Sequence, residues 1–198
     1  MPLILASQSP TRRAMLAAAG LAFTAVSPPV DEEAAKDSFR AAGASPRDLA
    51  DGLAELKAIA AARRADPGSY VIGADQVLSF EGEAFDKAKS LAEASARLRT
   101  MRGKPHELIT AAVLVHAGSV IWRHVETPRL TMRNLSDEAI DTYVAHHGEA
   151  ALGSVGCYQL EAAGVQLMSR VEGDWFSILG LPLLPLLDVL RRHGLAPG

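Results

Sequence analysis

Apolar and polar positions along this chain switch between the period of a strand and that of a helix. Leu3-Ile4-Leu5-Ala6 is an unbroken apolar run and predicts a short buried strand. Ala14-Met15-Leu16-Ala17-Ala18-Ala19 is a run of good helix formers that stops at Gly20. Between them Ser9 suits a helix N-cap, and Pro10 suits the first turn, where its missing N–H costs nothing. Phe23 to Val26 alternates as a short strand before Pro28-Pro29 breaks it. Ser45-Pro46 opens a long helix whose inner stripe is Leu49, Leu53, Leu56 and Ala60. Lys57 stands at the edge of that stripe, either reaching into a site or extending to water.

Tyr70 to Phe80 is apolar nearly throughout and predicts a central strand, followed by a hairpin turn at Glu81-Gly82-Glu83. Leu91 to Met101 is helical, with Leu91, Ala94, Leu98 and Met101 on one face. His106 to His116 and Val120 to Thr127 read as strands joined at Ala117-Gly118-Ser119, with a further strand segment through Leu130-Thr131-Met132. Ser136 caps a helix through Ile140 and Tyr143 that ends near Gly148. Val165 to Val171 alternates as a half-buried strand, and Gly180-Leu181-Pro182-Leu183 leads into a last helix with Leu186, Leu187 and Leu190 inside.

The 198 residues fit one large domain or two small lobes with a real core. A net charge of −3 argues against a protein that coats nucleic acid, and the scarcity of aromatics (5%) agrees. Cys157 is the single cysteine, so neither an intramolecular disulfide nor a cysteine-cluster metal site is expected. That points to the cytosol. The longest apolar stretch, Ile178 to Leu187, is too short to span a bilayer and carries Pro182 and Pro185, so no membrane segment is expected; nor is a signal peptide.

Two stretches carry chemistry. At Ser7-Gln8-Ser9-Pro10-Thr11-Arg12-Arg13 the pattern draws strand, tight turn and helix N-terminus, which exposes backbone N–H groups beside two hydroxyls and two guanidiniums. That is a polyphosphate cradle, with Ser7, Ser9, Arg12 and Arg13 as phosphate contacts, or a surface helix start with two solvated arginines. The second is Asp75, the one carboxylate inside the central apolar strand. It must be paired, bind metal or do chemistry, because burying it bare is too costly. Val30-Asp31-Glu32-Glu33 is an acidic loop beyond a rigid turn, able to hold a divalent cation or simply solvated. No G-x-x-x-x-G-K-[ST] sequence is present, which argues against a P-loop enzyme.

Taken together these residues resemble the Maf family of nucleoside triphosphate pyrophosphatases, nearly end to end. Leu5 to Arg13 resembles the family's opening and Val30-Asp31-Glu32 its acidic turn. Lys57, Gly73-Ala74-Asp75-Gln76-Val77 and Lys87 fall in the family's order, and Gly173 with Gly180-Leu181-Pro182-Leu183 resembles its closing signature. Asp75-Gln76 and Glu161 resemble the branch that prefers 7-methyl-GTP. The resemblance departs at Ala88, where proline usually follows the lysine, at Thr11, where that branch has tryptophan, and at Ala151-Leu152-Gly153, where many relatives carry a lysine.

What the resemblance implies is a single Maf-like α/β domain over residues 1–198, with a mixed curved sheet flanked by helices. It would have two lobes around a central cleft, like the inosine triphosphate pyrophosphatases, and often be a homodimer. The expected reaction is hydrolysis of a nucleoside triphosphate to the monophosphate and pyrophosphate. Asp75 is the candidate base, with Glu32, Lys57 and Lys87 in the catalytic set. Glu32 with Asp75 can hold Mg2+ or Mn2+. Thr11, Gln76 and Glu161 are candidates for substrate specificity. The competing expectation is a nucleotide-binding regulator of cell division or septum formation with little or no catalysis.

Overall fold

The structure is a computed structural model that describes residues 1–197. In chain order it holds β1 (Leu3–Ala6), α1 (Pro10–Ala18), β2 (Thr24–Val26), α2 (Glu32–Ala41), α3 (Pro46–Ala62), β3 (Tyr70–Phe80), β4 (Glu83–Phe85) and α4 (Leu91–Met101). Then come β5 (Pro105–His116), β6 (Ser119–Glu126), β7 (Arg129–Met132), α5 (Asp137–Ala151), a 3-10 turn (Ala163–Leu167), β8 (Met168–Glu172), α6 (Trp175–Ile178) and α7 (Leu183–Arg192). The strand order is β2-β1-β3-β5-β7-β8, with β4 on β3 and β6 on β5. β1 runs parallel to β2 and β3, and the other registered pairs are antiparallel, so this is an α/β fold with a mixed sheet. Among the described residues no helix is long and apolar enough to cross a membrane.

The chain divides into two compact units, and β3 and β5 each run from one into the other. The first comprises Met1–Gln76, Thr110–Glu126 and, among the described residues, 174–197. Its core gathers Leu5, Leu16, Ile72, Leu114, Leu181 and Leu186 from strands and helices that are distant in sequence. The α3 helix starts as its sequence predicts: the Ser45 hydroxyl and Asp48 carboxylate form a reciprocal capping box, with Pro46 in the first turn. Its inner face differs from the predicted stripe. Ala50, Ala54, Lys57, Ala58 and Ala61 are buried with Leu49 and Leu53, while Leu56 is 40% exposed. α2 also departs from expectation. The acidic run is not a loop, because Asp31 accepts from the Ala34 N–H and caps a helix that begins at Glu32.

The second unit comprises Val77–Ile109 and Thr127–Gly173. Here β3 turns into β4 through Glu81 and Gly82, both at positive φ, the conformation a two-residue hairpin requires. The α4 helix packs on α5. α5 runs past Gly148 to Ala151, and that glycine leaves room for Leu91, whose Cδ2 lies 2.7 Å from where a Cβ would stand. The stretch from Val165 is not strand at its start: it turns through the 3-10 segment, and β8 begins only at Met168.

One buried group in this unit carries a pH dependence. His106 on β5 is 2% exposed, with Nε2 2.6 Å from the Tyr158 hydroxyl and no partner on Nδ1. Burial pushes its pKa down from 6.5 to about 4. The imidazole therefore stays neutral in the folded chain at pH values where the unfolded chain takes up a proton. Stability should be level above pH 6.5 and fall as the pH drops towards 4, by up to about 3 kcal/mol from this group. Urea midpoints at pH 7.5 and 4.5 should differ less in His106→Gln than in the parent. Equal differences would trace the acid sensitivity to other groups.

Candidate active site

The turn between β1 and α1 is built as its sequence predicts. The Ser9 side chain accepts from the Arg12 N–H at 3.3 Å, Pro10 takes the first helical position, and the Ser9 N–H donates to the buried Ser7 hydroxyl at 3.2 Å. The two arginines then part company. Arg13 is exposed and Thr11 half-buried, whereas Arg12 is buried. Its Nε donates to the Gly180 carbonyl at 2.6 Å, and its Nη1 donates to the Ala74 carbonyl at 2.9 Å and the Ser7 hydroxyl at 3.4 Å. Arg12 is therefore no solvated surface arginine: it ties the turn to β3 and to the segment before α7. Burial pushes its pKa down, opposed by the negative charges of Asp75 and Glu32.

Those two carboxylates converge on Lys57. The buried Lys57 ammonium lies 2.7 Å from Asp75 Oδ1 and 3.0 Å from Glu32 Oε2. Of the two readings of Lys57, the structure takes the inward one. It also answers what accompanies the carboxylate inside the central strand, since Asp75 on β3 is ion-paired across to α3. Glu32 reaches the same ammonium because Asp31 caps α2 and so sets Glu32 as its first residue. Glu32 is the open member, with its side chain 44% exposed against 12% for Asp75. Among the described residues no group of three or more His, Cys, Asp or Glu could hold a metal. The two carboxylates meet at the Lys57 ammonium, and their donor type is the one Mg2+ or Mn2+ commonly takes, one or two carboxylates with phosphate oxygens and water completing the shell.

Gln76 serves a different contact. Its Nε2 lies 2.8 Å from the Thr110 Oγ1, 3.0 Å from the Ser177 carbonyl and 3.0 Å from the Ile178 carbonyl. Two amide hydrogens are thus shared among three acceptors, and the side-chain oxygen can only accept. The Thr110 hydroxyl donates to the Ser177 carbonyl at 2.8 Å, and Asp174 caps α6 by accepting from the Ser177 N–H at 2.7 Å. Thr110, Asp174 and Ser177 were not expected from the sequence. The Asp174-x-x-Ser177 spacing was the available signal, a cap before a short helix.

Lys87 and Glu161 belong to the second unit, and both are exposed. Lys87 lies in the irregular segment after β4, and Glu161 in the turn before the 3-10 segment.

Residues 2–193 match the family described as Maf-like protein. The chain belongs to this family. Its Maf relatives match over nearly their whole length. A nucleoside triphosphate pyrophosphatase of Granulibacter bethesdensis is 53% identical over 193 residues, covering 98% of each chain. One from Caulobacter vibrioides is also 53% identical, over 98% of this chain and 96% of its own. A 7-methyl-GTP pyrophosphatase of Rhizobium meliloti is 50% identical, over 97% and 96%. A solved nucleoside-triphosphatase / dITP/XTP pyrophosphatase of Mycobacterium abscessus aligns with 77% of this chain and 97% of its own at 18% identity. Its TM-score of 0.38 is too low to carry a fold argument. Within this Maf chain, Ala88 is buried after the exposed Lys87, Thr11 stands in the first turn of α1, and Ala151 is the buried last residue of α5.

Proposed function

We propose that this protein hydrolyses a nucleoside triphosphate between the α and β phosphates, giving the nucleoside monophosphate and pyrophosphate. The observation that carries the reading is the meeting of Asp75, Glu32 and Lys57 within 3.0 Å, beside a buried arginine charge. The names of the Maf relatives support the same chemistry. In this reading Asp75 takes the proton of a water that attacks the α-phosphorus. The bond from the α-phosphorus to the oxygen that bridges to the β-phosphorus breaks, and the leaving pyrophosphate keeps that oxygen with the electron pair. Such transfers depend mainly on placing positive charge along the phosphates. Lys57 and Arg12 supply that charge from within, Arg13 and Lys87 from exposed positions, and the Ser7 and Ser9 groups supply hydrogen bonds. Glu32 and Asp75 would hold a Mg2+ or Mn2+ ion, which would add neutralisation of the phosphate charge. Thr11, Gln76 and Glu161 would face the base. A carboxylate suits both the N–H donors of a guanine edge and the positive charge of a 7-methylated one, whereas Thr11 offers no ring to stack on it.

Nucleotide is the partner in this reading, the cytoplasm the setting, and a homodimer the assembly. The test is a screen of canonical and modified triphosphates, 7-methyl-GTP, UTP and dTTP included, with Mg2+ and Mn2+. Monophosphate and pyrophosphate should appear in equal amounts, without inorganic phosphate, and chelation of the metal should stop the release. Nucleotide binding with no turnover on any substrate would favour the non-catalytic regulator instead.

A further inference from the structure

Lys87 is exposed in a stretch with no helix or strand of its own, Asp86 to Ser90, yet the backbone on both sides of it is gripped. Arg97 on α4 does most of the gripping. Its side chain is only 10% exposed. One guanidinium nitrogen, Nη1, donates to the Asp86 carbonyl and, at 3.0 Å, to the Val155 carbonyl. The other, Nη2, donates to Glu93 Oε1 at 3.0 Å. The second oxygen of that carboxylate, Oε2, accepts from the Lys89 N–H at 2.8 Å. Burial pushes the Cys157 thiol pKa up, and the Arg97 guanidinium and the Ala88 N–H pull it back down. The guanidinium lies over the Phe85 ring, 5.1 Å from its centroid.

The Asp86 carbonyl and the Lys89 N–H are thus held by the paired Arg97 and Glu93 side chains, with the buried Cys157 close to Arg97 and Ala88. Both groups flank Lys87, in a stretch that is neither strand nor helix. An alanine at position 88 does not fix its own backbone as a proline ring would. These contacts therefore fix the backbone on either side of Lys87. A planar guanidinium can grip two carbonyls and a carboxylate at once, and an ammonium has no such fork.

We propose that Arg97 is a positioning residue that aims Lys87 by clamping the Asp86–Lys89 backbone together with Glu93. This rests on the reading above, in which Lys87 contacts the substrate. Arg97→Ala should lower kcat/KM by about tenfold, and Arg97→Lys should recover only part of that loss. Amide exchange at Ala88 and Lys89 should quicken by about tenfold, while α4 keeps its protection. The deciding measurement is the double-mutant cycle with Lys87→Ala. If Arg97 works through Lys87, adding Arg97→Ala to Lys87→Ala should cost less than about a further twofold. Losses that multiply in full would overturn the proposal, as would unchanged activity of a folded Arg97→Ala protein. Should Arg97→Ala not fold, Glu93→Ala at a half-exposed position releases the Lys89 N–H and one Arg97 nitrogen, and leaves Arg97 on the Asp86 and Val155 carbonyls. It should give about a threefold loss within the same cycle, and no loss there counts against the clamp. The functional reading is judged separately. A wild-type chain that releases pyrophosphate while Lys87→Ala matches it keeps the reaction and removes the clamp's role in it.

Discussion

Asp75→Asn should lower turnover by at least about a hundredfold while the chain stays folded, the size expected for loss of a general base. The side chain keeps its shape, and its amide oxygen can still accept from the Lys57 ammonium now 2.7 Å away. What is lost is the carboxylate charge. Lys57 keeps Glu32 as a charge partner at 3.0 Å, so the buried ammonium is not stranded. A large loss of activity with a modest loss of stability therefore marks Asp75 as a reacting group. The contrary reading makes Lys57–Asp75 a structural strut between α3 and β3. Under it, Asp75→Asn loses stability but keeps more than half its turnover on the best substrate. Steady-state turnover and a urea melt of the same preparation separate the two. A screen of metal concentration adds a second reading: if Asp75 also helps hold the ion, the variant should need more Mg2+ or Mn2+ to reach its own maximum.

Much of this region was legible because local signals agreed with one another. Ser9-Pro10 and Ser45-Pro46 are caps followed by proline, and both open helices within a residue of where the pattern puts them. Asp75 stood out because it is the one charged residue in a mostly apolar β3. The α2 helix was not legible, for a physical reason: none of its residues is buried, so no apolar stripe marks it. Only the Asp31 cap signalled its start, within an acidic run that also reads as a solvated loop. The commitment of Arg12 was equally hidden. Its Nε partner is the carbonyl of Gly180, 168 residues away, and a backbone carbonyl carries no side-chain signature. For Gln76, alternation along a regular strand gives a face opposite Asp75, but the three acceptors that gather its amide come from elements far from it in sequence. Local chemistry is written in the pattern, whereas long-range contacts to backbone are not.

The misread face of α3 leads to the other large effect. Leu56 was expected inside, yet the helix turns a row of alanines and Lys57 towards β3 instead. The reason is Gly73. A Cβ on this residue would stand 2.1 Å from the Ala54 carbonyl oxygen, 2.7 Å from the Ala58 nitrogen and 2.8 Å from the Ala58 Cβ. Helix and strand backbones nearly touch there, and only small residues permit it. Two of those three neighbours are backbone atoms, which cannot rotate aside as a side chain would. Gly73→Ala must therefore push α3 off β3, and it should cost at least about 3 kcal/mol, the upper end for overpacking a core. The displaced helix carries Lys57 and the strand carries Asp75, so the 2.7 Å ion pair should stretch and turnover should fall even in the fraction that folds. Gly68→Ala is the control, because nothing lies within 4 Å of a Cβ there. Urea denaturation of the two variants and turnover at a temperature where both are folded make the comparison. If Gly73→Ala matches Gly68→Ala in both, the close approach does not hold the site together. If it loses both stability and turnover, the missing side chain at Gly73 is what lets a lysine on α3 meet an aspartate on β3.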